Sequence, residues 1–161
     1  MTGTTAAVPP CSRGCSPADP GRCDGAAGID GAVVRGLVHV ITLGTGIGGA
    51  MIHDGVLVPN FEVGSLELDG VMAESRASAK ARERDQLSWA EYAERLQRFF
   101  SHVERIFSPD LFIVGGGISK RPDDYLPLLR LRTPIVPAQL QNNAGIVGAA
   151  LAAHGSLADG N

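Results

Sequence analysis

Leu37-Val38-His39-Val40-Ile41-Thr42-Leu43-Gly44-Thr45-Gly46-Ile47-Gly48-Gly49-Ala50-Met51-Ile52-His53-Asp54-Gly55-Val56-Leu57-Val58 is the stretch on which the fold turns. Its β-branched run, Leu37 to Leu43, is long enough for a buried strand. The run breaks into Gly44 to Gly49, a loop with almost no side chains. Residues 50–53 and 56–58 then flank Asp54-Gly55. Asp-Gly between two short apolar runs predicts a hairpin, because both turn positions take positive φ. The glycine loop is therefore expected to join strand to strand.

Downstream, residues 72–85 are rich in Ala, Arg and Glu and predict a helix. Ser88 stands three before Glu91, the spacing of a capping box. Trp89, Tyr92, Ala93, Leu96, Phe100, Val103 and Phe107 follow at steps of three and four, which is one face of an amphipathic helix. Ser108-Pro109 should end it. Leu111 to Val114 predicts a short strand running into Gly115-Gly116-Gly117. A helix is expected around residues 124–129 and a strand at 133–136, which Pro134 would confine to a sheet edge. Asn143 is a candidate cap for a last helix through Ala153. The expected class is α/β, and no internal repeat is visible.

The 161 residues allow one domain or slightly more, and 44% hydrophobic content can support a core. Aromatics are only 5% beside 21 glycines, as in an alanine- and valine-rich α/β protein with tight turns. A net charge of −3 makes a basic nucleic-acid surface an unlikely default, so no nucleic-acid partner is expected. Apolar stretches fall short of the ~20 residues a membrane span needs, and no secretory signal is visible, so a soluble cytoplasmic chain is expected. Residues 1–31 hold Pro9, Pro10, Pro17 and Pro20 but no Leu, Phe, Tyr or Trp. Without hydrophobic periodicity they cannot offset their ordering entropy, which predicts a disordered leader unrelated to the domain. Cys11, Cys15 and Cys23 all lie in that segment. Three cysteines at one end make neither a disulfide framework nor, without nearby histidines, a zinc site. No zinc is expected.

Three signals carry chemistry. In Gly44 to Gly49, successive bare backbone N–H groups can approach an anion closely. The loop also fits G-x-G-x-x-G at Gly44, Gly46 and Gly49, but a dinucleotide site needs a helix straight after it, where Asp54-Gly55 argues for a hairpin. A ligand-free tight turn stays open; a phosphate-binding hairpin fits the local sequence best. Glu62, Glu67, Asp69 and Glu74 then follow the hairpin. Carboxylates are natural acceptors for sugar hydroxyls, although spacing alone favours a solvated acidic loop. Gly115 to Gly117, after a strand, could wall a phosphate or nucleotide pocket, or simply form a tight turn.

Leu43 to Ala50, the hairpin at Asp54-Gly55 and Pro59-Asn60-Phe61-Glu62-Val63-Gly64 together resemble the ROK-family sugar kinases. Pro109 to Ser119, Thr133 to Ala138 and Gln141-Asn142-Asn143-Ala144-Gly145-Ile146-Val147-Gly148-Ala149-Ala150 narrow the resemblance to the actinobacterial polyphosphate glucokinases. It covers about residues 32–154, leaving 1–31 outside and 155–161 as a flexible tail. The resemblance implies an actin-like (ASKHA, ribonuclease H-like) fold with a mixed sheet and packed helices, this chain corresponding to the C-terminal domain. It implies phosphorylation of glucose at the 6-hydroxyl, with Mg2+ and either ATP or polyphosphate as donor. It further implies donor phosphates at Gly44, Thr45, Gly46, Gly48 and Gly49, and a nucleotide or polyphosphate path beside Gly115, Gly116 and Gly117. Glu62, Ser65 and Glu74 are the implied sugar ligands, and Lys80, Arg82 and Arg84 could attract a polyanion, although a solvated helix face is the favoured reading of those three. A homodimer is common in the family, and the helix from Trp89 to Phe107 could contribute to one, though its stripe suits core packing better.

The departures matter as well. The family's first phosphate hairpin, rich in Asp and Gly, has no counterpart in residues 1–36. No Asn precedes Asn60, so the Asn-Asp pair carrying the family's general base is absent, and neither Asp24 nor Asp30 replaces it. The family's Glu-x-Gly-His reads Glu62-Val63-Gly64-Ser65, a serine in place of a sugar-contacting histidine. A kinase fragment inactive by itself is the expectation, with a non-catalytic sugar- or phosphate-binding fragment and a regulator remnant as alternatives.

Overall fold

The computed structural model describes residues 35–138; the leader, the cysteines, the segment 141–150 and the expected last helix from Asn143 lie outside the described residues. Strand β1 (Leu37–Leu43) is central to a five-stranded sheet. It runs antiparallel to β2 (Ile47–His53), which pairs with β3 (Val56–Val58) across the Asp54-Gly55 turn. Asp54 and Gly55 adopt φ of 49° and 83°, the positive values that the expected hairpin demands. The connection between β1 and β2, a ribbon of bare backbone, is thus shorter than the glycine run: Gly48 and Gly49 already belong to β2, paired with Thr42 and Ile41.

A second hairpin, β4 (Glu67–Leu68) and β5 (Val71–Met72), follows with the same turn chemistry, Asp69 and Gly70 standing at φ of 56° and 78°. The helix expected over 72–85 is broken in two, α1 (Glu74–Ala77) and α2 (Ala79–Arg84). Ser78 between them takes an extended conformation and its Oγ accepts from Ala81 N–H at 3.1 Å. A serine in this position serves a cap better than a helix interior, because its hydroxyl competes for local backbone groups.

Helix α3 (Trp89–Phe107) has the expected capping box: Glu91 N–H donates to Ser88 Oγ at 3.3 Å and Ser88 N–H to Glu91 Oε2 at 2.9 Å. Ser108, left-handed at φ 46°, and Pro109 close it. Tyr92, Leu96, Phe99, Phe100 and Val103 are buried against the sheet face formed by Ile41, Leu43, Phe112 and Val114. Strand β6 (Leu111–Gly115) pairs parallel with β1, and β7 (Ile135–Pro137) pairs parallel with β6 at the end of the sheet order β3-β2-β1-β6-β7. The region around 124–129 is not an α-helix but two short 3₁₀ turns, Pro122–Asp124 and Leu126–Leu128. Each opens with a proline at its first or second position, and Pro127 cannot donate the backbone bond a longer helix needs there. No helix among the described residues is long and apolar enough to cross a membrane.

One polar group is sealed inside this core. His39 is fully buried in β1 among Phe61, Phe107 and Phe112, with ring centroids at 4.6, 5.5 and 5.8 Å. Neither ring nitrogen has a hydrogen-bond partner among the described residues. Burial disfavours the charged imidazolium and pulls its pKa from 6.5 down to about 4. The histidine is therefore packed as an aromatic ring, and it anchors Phe61 immediately before Glu62.

Candidate functional site

The ribbon between β1 and β2 is held from outside by the helical segment. The Gly44 carbonyl accepts from Lys80 N–H at 3.1 Å, and Glu74 Oε2 accepts from Ile47 N–H at 3.4 Å. Gly46 is bare because Glu74 occupies the neighbouring space: a Cβ there would stand 2.5 Å from Oε2. Gly48 is similarly confined by Thr42 Oγ1 at 2.7 Å, and Gly49 by Val63 at 2.7 Å and Phe61 at 3.1 Å. Thr45 is exposed at the tip.

Glu62 and Glu74 converge on the buried Gly64. Glu62 Oε1 accepts from Gly64 N–H at 2.6 Å, and Glu74 N–H donates to the Gly64 carbonyl at 3.1 Å. The position a Gly64 Cβ would take lies 3.1 Å from Glu62 Oε1, 3.3 Å from Glu74 Oε2 and 2.4 Å from the Ile47 carbonyl. The two carboxylates therefore flank one small space beside the ribbon. Ser65 is exposed one residue further on, and Glu67 and Asp69 leave the group for the small hairpin, Asp69 pairing with Arg98 at 2.6 Å.

The second glycine segment leaves β6 beside the ribbon. Gly115 pairs with Thr42. Gly116 has φ +84°, and a Cβ there would lie 2.5 Å from the Leu43 carbonyl, so both its conformation and its space require glycine. Ser119 Oγ donates to the Gly116 carbonyl at 2.7 Å and fixes the turn. Gly117 and Gly44 meet across an open cleft of about 670 Å³ that also takes in Lys80, Arg82, Trp89 and Arg121. Arg84 is not part of it. Its guanidinium is spent on Asp85 and the Ser75 carbonyl, and its hydrogen bond, with a second from Arg95, holds the Asp85 carboxyl well below its ordinary range. Trp89 and Arg121 line the cleft too, although the sequence did not single them out for this site. Trp89 read as part of the core stripe of α3, whereas it is only half-buried and turned to the cleft.

Among the described residues no three His, Cys, Asp or Glu side chains gather as a metal cage. The site is instead built from backbone, two carboxylates and cationic side chains, a set suited to hydroxyl-bearing and anionic ligands.

An actin-like α/β domain with a glycine ribbon beside paired glutamates has the fold of the ROK-family sugar kinases, and the chain matches the C-terminal portion of proteins with that fold. In sequence it is similar to polyphosphate glucokinases. It is 51% identical over 124 residues to the polyphosphate glucokinase of Mycobacterium tuberculosis strain CDC 1551, covering 77% of this chain and 46% of that protein. It is also similar to the inorganic polyphosphate/ATP-glucomannokinase of Arthrobacter sp. strain KM, with 73% identity and a TM-score of 0.73 over 75% of this chain and 48% of the other. A ROK-family glucokinase from Streptomyces griseus, solved with glucose and AMPPNP, shares the fold at 22% identity and TM-score 0.61, over 74% of this chain and 61% of its own. The chain spans about half the length of the curated relatives it matches. No family model matches it.

Proposed function

We propose that residues 32–154 form the sugar- and donor-binding domain of a kinase that transfers a phosphoryl group from polyphosphate or ATP to the 6-hydroxyl of glucose. The carrying observation is the convergence of Glu62 and Glu74 on Gly64 at the side of the ribbon. Each carboxylate uses one oxygen on a backbone N–H and retains capacity for sugar hydroxyls. A hydrogen bond to such a charged acceptor contributes about 1.5–3 kcal/mol, enough for two glutamates to dominate hexose affinity. Ser65 offers a shorter hydrogen-bonding arm at the rim. On the other side, the ribbon and Gly115 to Gly117 would flank the donor's phosphates.

Magnesium would enter this site as the counter-ion of the donor's phosphates. Such an ion commonly keeps its waters and is held through substrate phosphates. Phosphoryl transfer rests on positioning and charge stabilisation, and general-base assistance is typically worth 10²–10⁴-fold. The two site glutamates are committed to holding loop and ligand, so the 161-residue chain is expected to bind without efficient turnover. Residues 1–31 and 155–161 lie outside the domain in this proposal. A cytoplasmic setting and a homodimer complete it, with no nucleic-acid partner.

Calorimetric titration of the purified chain with glucose, alongside a coupled assay with magnesium and ATP or polyphosphate, tests this. Saturable glucose binding is expected, weakened about tenfold or more by Glu62→Gln and by Glu74→Gln. A folded chain that takes up no glucose would defeat the sugar-site assignment. Turnover matching that of a full-length kinase would defeat the assignment of the chain as a binding half.

A further inference from the structure

Arg82 is the unusual side chain of the cleft. Its Nε is buried and makes no hydrogen bond among the described residues, although leaving such a donor unpaired typically costs about 1–3 kcal/mol. Its guanidinium carbon sits 3.8 Å from the centroid of the Trp89 ring. The Arg121 guanidinium stands 5.1 Å from the same ring, and Tyr125 lies nearly parallel to it, at 6.0 Å and 17°. Two arginines, drawn from α2 and from the turn after Gly117, are thus gathered on one indole. Lys80 adds a third cation to the cleft lining; Glu83 and Asp124, the latter paired with Arg121 at 2.5 Å, are the acids nearby.

This arrangement discriminates among anions. Stacking on an aromatic face fixes the planar fork of a guanidinium; with the Arg82 Nε buried and the Arg121 Nε given to Asp124, it is their terminal N–H groups that remain for oxygen acceptors, the geometry that recognises phosphate. The cleft, at about 670 Å³, extends beyond the ribbon to α2, Trp89 and the turn after Gly117. Its one tryptophan is already covered by Arg82 and neighboured by Tyr125, so a nucleobase would have to displace the stack to lie on it. Successive phosphates need no such platform.

We propose that Arg82, Trp89 and Arg121 form a guanidinium–indole clamp that holds the phosphates behind the transferred group, selecting linear polyphosphate over a nucleotide donor. This rests on the cleft being the donor side of the kinase site. The clamp residues position the donor chain; the ribbon faces the group in transfer.

Trp89 is the only tryptophan of the chain, so its fluorescence reports on the clamp directly. Titration of the 161-residue chain with linear polyphosphate should shift Trp89 emission saturably. ATP, pyrophosphate and a single-stranded oligonucleotide with an equal number of phosphates should bind about tenfold or more weakly than polyphosphate. Arg82→Gln and Arg121→Gln should each weaken polyphosphate binding about tenfold while glucose affinity and melting temperature hold. Arg82→Lys should not rescue, because it keeps the charge and loses the fork. Equal affinity for ATP or for the oligonucleotide would overturn the clamp, as would calorimetric polyphosphate binding that leaves Trp89 emission and both glutamine variants unaffected. Loss of glucose binding with the polyphosphate response intact would remove the sugar-site assignment and leave the clamp standing.

Discussion

Gly64 and Gly116 sit in the packed back wall of the site; Gly44 and Gly117 sit at its open mouth. The first pair is bare because something else fills the space, the Ile47 carbonyl at 2.4 Å from one Cβ position and the Leu43 carbonyl at 2.5 Å from the other. A Cβ added to either member of the second pair would meet nothing among the described residues within 4 Å, yet both line the cleft. The same residue type thus serves close packing in one region and ligand approach in the other. Stability and binding should separate along that line.

Gly116→Ala carries the largest expected effect. Backbone strain at φ +84° adds about 1–2 kcal/mol to an overpacking cost of about 1–3 kcal/mol, so a loss of roughly 2–5 kcal/mol should appear in urea unfolding. Gly64→Ala should lose the overpacking part alone, together with glucose binding. Unchanged unfolding midpoints in both would break the distinction between wall and mouth.

The wall also contains His39, and its lowered pKa gives a signed pH dependence. The unfolded chain binds a proton near pH 6.5, whereas the folded one resists until about pH 4, so protonation favours unfolding. Stability is complete above pH 6.5 and falls through the window down to about pH 4, by up to roughly 3 kcal/mol in total. His39→Leu should flatten that limb in urea unfolding followed at several pH values. Parallel profiles for both proteins would show that the buried imidazole does not set the acid limb.

At the mouth, Gly44→Ala and Gly117→Ala should shift stability by no more than about 0.5 kcal/mol. Their expected effect is on polyphosphate affinity, read by Trp89 emission. A large fall in melting temperature for either would place it with the wall and erase the contrast.

Legibility followed the strength of local signals. Leu37 to Leu43, the Asp54-Gly55 hairpin, the capping box at Ser88 and the edge strand after Pro134 were readable because each has its own period, cap or turn chemistry. Asp69-Gly70 carries the same turn signal as Asp54-Gly55, but its flanks pair only two residues each, too few for alternation to register. Ser78 split a helix whose composition promised continuity, since propensity summed over a window cannot see one side chain choosing a cap. At the site, spacing alone favoured a solvated loop for the glutamates; family resemblance singled out Glu62 and Glu74. The Arg82–Trp89–Arg121 group had no linear signature, because it joins a short helix, the start of α3 and a turn after β6.

The parallel pairing of β1 with β6 has a kinetic consequence. Val38 lies opposite Leu111, and Leu37 N–H is bonded to Asp110 Oδ2, across 73 residues of chain. Hairpins and helices form within microseconds, but contacts so distant in sequence must first overcome the entropy of closing a long loop. Gly44 and Gly117 stand on opposite sides of that closure. Occupancy of the cleft therefore reports completed folding, and any anion that binds there slows the native state's return to the unfolded ensemble.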